Sequence, residues 1–233
     1  MEQQRDIEIL KRSELFTGVP TPVLAELQAA SFRKRLAAGD VLFRQGDPVD
    51  TLYIVIVGRL RVTQTTPEGA QVIIRYLGPG QMAGYSVLTG GTQHPGSTTA
   101  LDDSHLFGWP AATIRDMMTR HAAIAVNAAA VLGERYHEMQ VRLRELSTER
   151  VEQRIAHTVL RLARQAGHRT ARGIEIAFPL SRQDLAEMTG TTLHTVSRTL
   201  SAWEEKGIVD SGRRRVIVCR ADALEAMAEA AEK

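Results

Sequence analysis

A single cysteine, Cys219, occurs in 233 residues. One thiol allows no internal disulfide and no cysteine-held iron–sulfur cluster within one chain. Long apolar runs are also missing. Tyr53–Val57 is uniformly apolar but far too short to span a bilayer. The opening Met1-Glu2-Gln3-Gln4-Arg5-Asp6 has no apolar core, so no signal peptide and no membrane partner are expected, and the cytoplasm is the expected location. Net charge is small, +2.

That small total hides an asymmetry. Between Glu149 and Arg220 there are 13 Lys and Arg against 8 Asp and Glu, an excess of +5, which leaves the rest slightly acidic. A basic C-terminal third suits a polyanionic partner. The length is enough for two domains, each with its own core.

Within that basic third, Leu180–Leu200 carries the sharpest local signals. Ser181 with Asp184 three residues on makes a capping box, and Leu185, Ala186 and Met188 give the helix it opens an inner face. Gly190 permits a sharp turn, and Thr191 or Thr192 caps a second helix with Val196, Leu200 and Trp203 inside. The pattern predicts a helix-turn-helix. On the second helix His194, Ser197 and Arg198 share the opposite face, a polar row suited to a DNA major groove.

Along the rest of the chain, residues 3–16 and 21–31 read as short helices. From Phe32 to Trp109 β-branched runs (Leu52–Val57, Leu60–Thr65, Val72–Leu77) alternate with glycine-containing turns. Short strands at that spacing predict a small antiparallel barrel or jelly roll. Thr89–Thr99 reads as a loop, with a last strand near Ser104–Trp109. Residues 111–120 form a helix, and a long one runs from about His121 to Leu146. In it Ala125, Ala129, Leu132, Tyr136, Met139, Leu143 and Leu146 recur at steps of four and three, flanked by Arg135, Glu138, Arg142 and Glu145. That narrow seam predicts a two-chain coiled coil rather than packing on the chain's own barrel. Ser147-Thr148 breaks the pattern. Beyond it come a helix at Val151–Ala166, a polar loop at Gly167–Gly173, a hairpin wing of Ile208–Asp210 and Arg215–Cys219 joined by Ser211-Gly212, and a terminal helix at Ala221–Ala231. The expected fold is α+β: a barrel domain over residues 1–120, a dimerisation helix over 121–147 and a winged helix-turn-helix over 148–233.

Barrel, long helix and winged helix-turn-helix in this order resemble the cyclic AMP receptor protein/fumarate–nitrate regulator superfamily. The likeness is carried by Ala38-Gly39-Asp40-Val41-Leu42-Phe43-Arg44-Gln45-Gly46-Asp47, Leu52-Tyr53-Ile54-Val55, Val57-Gly58-Arg59-Leu60, Pro67-Glu68-Gly69 and Leu180–Arg198. The resemblance implies a cyclic-nucleotide-binding-like jelly roll and a homodimer joined through Leu132, Tyr136, Met139, Leu143 and Leu146. It further implies an effector that reorients two recognition helices on near-palindromic double-stranded DNA, and recruitment of RNA polymerase. Arg198 stands at the family's base-reading arginine, Ser197 matches the fumarate–nitrate type, and His194 replaces a glutamate, so the half-site should differ there. Thr191–Arg198 resembles the nitric-oxide-responsive denitrification regulators. Phosphate contacts are expected from Ser181, Arg182, Gln183, Thr192, Arg213, Arg214 and Arg215.

The resemblance also places an effector pocket at Met82, Gly84, Tyr85, His94, Met139 and Gln140. Tyr85 stands where cyclic-nucleotide binders carry a ribose-binding glutamate, and His94-Pro95 where they carry Arg-Ser. A buried cyclic phosphate would lack a guanidinium, which argues against cyclic AMP. Haem is open, with His94, His105, His121, His137, Met82 and Met139 as candidate axial ligands, although no Cys-x-x-Cys-His attachment occurs. A barrel-based metal-dependent enzyme or an effector-independent DNA-binding regulator is the alternative. No His-x-His and no Ser/His/Asp grouping supports the former, so no catalytic or metal-binding residue is assigned and an enzyme is not expected.

Overall fold

A computed structural model describes residues 2–229 of the chain, which forms two compact units that divide between Glu138 and Met139. The first opens with α1 (Glu2–Lys11) and α2 (Thr21–Ala29). Eight strands follow: β1 (Phe32–Leu36), β2 (Val41–Phe43), β3 (Thr51–Val57), β4 (Leu60–Thr65), β5 (Gln71–Leu77), β6 (Met82–Ala83), β7 (Ser97–Ala100) and β8 (Ser104–Pro110), with the short α3 (Ser86–Thr89) between β6 and β7. They make two four-stranded antiparallel sheets, ordered β1-β8-β3-β6 and β2-β7-β4-β5. The unit closes with α4 (Ala111–Arg120) and the first part of α5 (Ala122–Thr148).

The alternation of β3 explains the layering, because side chains on a strand alternate between faces. Leu52, Ile54 and Ile56 enter one cluster with Leu24 and Leu27 of α2, Trp109 of β8 and Ile114 of α4. Val55 enters a second cluster between the sheets, with Leu36, Leu60, Leu77 and Leu106. Trp109 is fully buried, and its indole N–H donates to the Leu27 carbonyl at 2.7 Å. On α5, Ile124, Ala128 and Val131 join the first cluster, and the Asn127 amide donates to the carbonyls of Leu15 and Thr17.

The second unit holds the end of α5, then α6 (Val151–Ala166), β9 (Gly167–Thr170), β10 (Gly173–Ile176), α7 (Arg182–Thr189), α8 (Leu193–Glu205), β11 (Val209–Gly212), β12 (Arg215–Val218) and α9 (Ala221–Ala228). The strands form one antiparallel sheet, β11-β12-β10-β9. Ile155, Val159 and Leu162 of α6 are buried. Glu145 of α5 is almost fully buried and accepts two bonds from the Arg161 guanidinium, at 3.0 and 3.2 Å.

Several local expectations need correction. Residues 3–16 are not one helix: α1 stops at Lys11, and the Ser13 hydroxyl donates back to the Leu10 carbonyl at 2.8 Å in the turn that follows. The long helix runs two residues beyond Leu146: Ser147 and Thr148 are the last residues of α5, where their hydroxyls bond the carbonyls of Leu143 and Arg144, four residues back, at 2.8 and 2.9 Å. Gly167–Gly173 is no loop. It contains β9 and the start of β10, a polar edge strand whose exposed side chains show no apolar alternation. Part of Thr89–Thr99 is strand β7. In the wing, Ser211 and Gly212 belong to β11, and the turn is Arg213-Arg214. The helix expected up to Ala231 ends at Ala228, and Ala230 and Ala231 lie outside the described residues. Glu138 and Glu145, which flank the seam, each pair with an arginine of their own unit, Arg75 and Arg161.

Candidate functional site

The helix-turn-helix is built locally. Ser181 Oγ accepts from the Asp184 N–H at 3.0 Å while Asp184 Oδ2 accepts from the Ser181 N–H at 2.7 Å, closing the capping box of α7. Gly190 ends α7 at φ 63°, a left-handed conformation that glycine adopts without strain. Thr192 caps α8, its hydroxyl accepting from the Thr195 N–H at 3.2 Å. Val196, Leu200 and Trp203 are fully buried, and the Trp203 indole donates to Glu152 of α6 at 3.0 Å. His194 and Arg198 are exposed on the other side of α8, with Ser197 part-buried. Neither His194 nor Arg198 has a hydrogen-bond or ion-pair partner among the described residues.

The residues expected at phosphates divide into two groups. Ser181 and Thr192 spend their hydroxyls on caps, Gln183 donates to Glu187, and Arg182 is tied to Ser211 at 3.0 Å and to Glu204 at 3.6 Å. Arg215 pairs with Asp210 at 3.2 Å. Arg213 and Arg214 form the exposed tip of the wing. Arg214 has φ 62°, which makes it the non-glycine residue with positive φ among those described. A side chain in that region costs roughly 1–2 kcal/mol, so glycine would suit the turn better. Arg214→Gly should leave thermal stability unchanged or raise it by up to about 1 kcal/mol, while weakening DNA binding and flattening its salt dependence. Equal DNA affinity over a salt titration would remove Arg214 from the interface.

In the first unit a cavity of about 80 Å3 opens between the sheets and α5. Met82, Gly84, Tyr85 and His94 all line it; Met139 and Gln140 do not, and both are exposed. Gly84 lies at φ 84° and approaches so closely that a Cβ would sit 2.7 Å from the Thr51 carbonyl. His94 is buried and stacks on Phe43 at 3.6 Å between ring centroids. Burial lowers its pKa, against the pull of Asp50 and Asp47 in the opposite direction, so the imidazole is neutral near pH 7.

The cavity also holds what sequence reasoning missed. Arg75 of β5 and Arg135 of α5 line it, so the expectation of a pocket without a guanidinium is corrected. Arg75 reaches Glu138 at 3.4 Å, and Arg135 reaches Glu14 at 2.5 Å and Glu138 at 3.4 Å. A lone arginine inside the apolar run Val72–Leu77 was the available signal for the first. Thr98, another lining residue, keeps a buried hydroxyl without a hydrogen-bond partner among the described residues.

Known proteins match this arrangement unit by unit. Residues 33–121 match the cyclic nucleotide-binding domain family, and residues 153–227 the Crp-like helix-turn-helix domain. The cyclic AMP receptor protein of Thermus thermophilus is 33% identical over 220 residues, 94% of this chain and 98% of that protein. This chain belongs to the cyclic AMP receptor protein/fumarate–nitrate regulator superfamily of transcription regulators. The fumarate and nitrate reduction regulatory protein of Salmonella typhimurium is 24% identical over 196 residues, 84% of this chain and 78% of that one. The structure of FixK2 from Bradyrhizobium japonicum superposes with a TM-score of 0.76 at 22% identity, covering 87% of this chain and 99% of its own.

Within this superfamily frame, the seam expected for dimerisation is left largely uncovered. Tyr136, Met139, Leu143 and Leu146 are 60%, 62%, 65% and 53% exposed, and Leu132 is part-buried beside the cavity. The helix packs on its own barrel through Ile124, Ala128 and Val131 instead, so one helix carries two apolar faces. Cys219 is half-buried on the wing side, and burial raises its thiol pKa. Among the described residues no helix is long and apolar enough to cross a membrane, and no three His, Cys, Asp or Glu side chains gather as a metal site.

Proposed function

We propose that this regulator works as a homodimer joined along the α5 seam, with α8 of each protomer in successive major grooves of a near-palindrome. His194, Ser197 and Arg198 read base edges. Arg213 and Arg214 hold phosphates, with Ser181, Arg182, Gln183, Thr192 and Arg215 around them. The barrel cavity is the effector site, and the DNA-bound dimer recruits RNA polymerase. One observation carries the DNA reading: α8 buries Val196, Leu200 and Trp203 and leaves Arg198 exposed and without a partner among the described residues. A guanidinium so presented suits bidentate bonding to guanine O6 and N7. The test is a gel shift of the full chain on promoter fragments with excess random-sequence competitor. Retention of one fragment against that competitor is expected, and uniform loss of every complex contradicts the reading.

The effector is not expected to be a cyclic nucleotide, although the Thermus relative is named for cyclic AMP. Tyr85 supplies no carboxylate for a ribose, and His94-Pro95 stand where cyclic-nucleotide binders carry Arg-Ser. Calorimetry should detect no cyclic AMP or cyclic GMP binding, and micromolar affinity for either would contradict this. The likeness of Thr191–Arg198 to nitric-oxide-responsive regulators suggests a haem, but the cavity residues do not fit one. Of the six candidate axial ligands only Met82 and His94 line it, and the His94 ring lies flat on Phe43, 8° between planes.

A further inference from the structure

The geometry points to a small carboxylate with an aliphatic body as the ligand of the barrel cavity, its charged head taking the place of Glu138 between Arg75 and Arg135. This rests on the proposed reading of the cavity as the effector site and adds the ligand class and the route to α5. Two guanidiniums in one small cavity are unusual company for aliphatic walls such as Val62, Ile74, Leu77, Met82, Val131 and Leu132. Arg75 and Arg135 have side chains only 19% and 20% exposed, where charge interactions are stronger than in open water.

The carboxylate now between them fits poorly. Glu138 reaches each arginine at 3.4 Å, longer than the roughly 2.7–2.9 Å of a charge-assisted bond. Its own side chain is 41% exposed, so it can turn into water at small desolvation cost. Glu14 holds Arg135 at 2.5 Å and stays in place through the exchange. The charge balance then closes. One carboxylate leaves and one arrives: Glu138 gives up its place beside Arg75 and Arg135 to the ligand carboxylate, while Glu14 stays on Arg135. An incoming anion added without displacing Glu138 would leave a surplus negative charge against apolar walls, which is costly.

The walls define the rest of the ligand. Their side chains are mostly aliphatic, which suits an aliphatic body behind the charged head. The partnerless Thr98 hydroxyl and the neutral His94 ring offer the polar contacts beyond the head group. Glu138 precedes Met139 directly and lies two residues after Tyr136, so freeing it changes α5 at the point where the apolar seam runs. Ligand state is thereby written onto the helix that carries the proposed dimer contact.

The full chain, Glu138→Gln and Arg75→Met are titrated calorimetrically with butanoate, hexanoate and octanoate, with the corresponding amides, and with cyclic AMP. At least one acid should bind the native protein about tenfold or more tighter than its amide. Glu138→Gln, which removes the competing charge, should tighten acid binding by about tenfold and leave the amide unchanged. Arg75→Met should weaken the acid by a similar factor, and if that variant does not fold the Glu138→Gln comparison decides alone. Acids that bind no better than amides, acid affinity unchanged in Glu138→Gln, or cyclic AMP binding in preference to every acid would each overturn the inference. The expected binding pattern with DNA affinity unmoved at saturating acid would uphold the anion site and contradict only the effector reading.

Discussion

Replacing Met139 and Leu143 together by glutamate is expected to turn the proposed dimer into a folded monomer. Both side chains are more than 60% exposed in the single chain, so the substitutions disturb no core and thermal unfolding of each unit should change little. Across a two-fold axis the same residues meet their own copies. Four apolar side chains would then be lost from the interface, at about 1.5–3 kcal/mol each, and four carboxylates would face one another in their place. A loss of roughly 6 kcal/mol or more is about four decades in dimer affinity. Sedimentation at micromolar concentration should therefore show a monomer. A double variant that still sediments as a dimer would place the interface elsewhere and leave the seam without a role.

Arg198→Ala is expected to abolish specific DNA binding at moderate salt. Each bidentate guanine contact accounts for about 1–3 kcal/mol of discrimination, and a dimer makes it twice. The folded protein should be untouched, because Arg198 is exposed and without a partner among the described residues, while Val196 and Leu200 hold the helix in place. Binding to random-sequence DNA, which depends on phosphate contacts, should fall much less. Equal losses on specific and random duplexes would demote Arg198 to a phosphate contact.

The helix-turn-helix was legible in the sequence because its signals are local: a capping pair three residues apart, a left-handed glycine and a short buried row. Ser181, Asp184, Gly190, Val196 and Trp203 sit where that pattern requires. The barrel strands were legible for a similar reason, since β3, β4 and β5 carry β-branched residues between glycine turns. The β9–β10 hairpin was not, because its outer strand is polar and exposed and pairs only through its backbone. The charged wall of the cavity was hidden for another reason. Arg75 pairs with Glu138 across 63 positions, and Arg135 with Glu14 across 121. No periodicity within one element reports such partners, so Arg135 and Glu138 read only as charged flanks of the seam. Ser147 and Thr148 were a good end signal: they are the last two residues of α5, and their hydroxyls bond carbonyls one turn back.

The proposed function requires two copies of α8 to read DNA as a symmetric pair. Selecting binding sites for the full chain from a random duplex pool tests it most directly. The enriched sequences should form a near-palindrome with half-site centres about 34 Å apart, one helical turn, each with a guanine where Arg198 reads. Enrichment of a single asymmetric half-site, or no enrichment at all, would contradict the account.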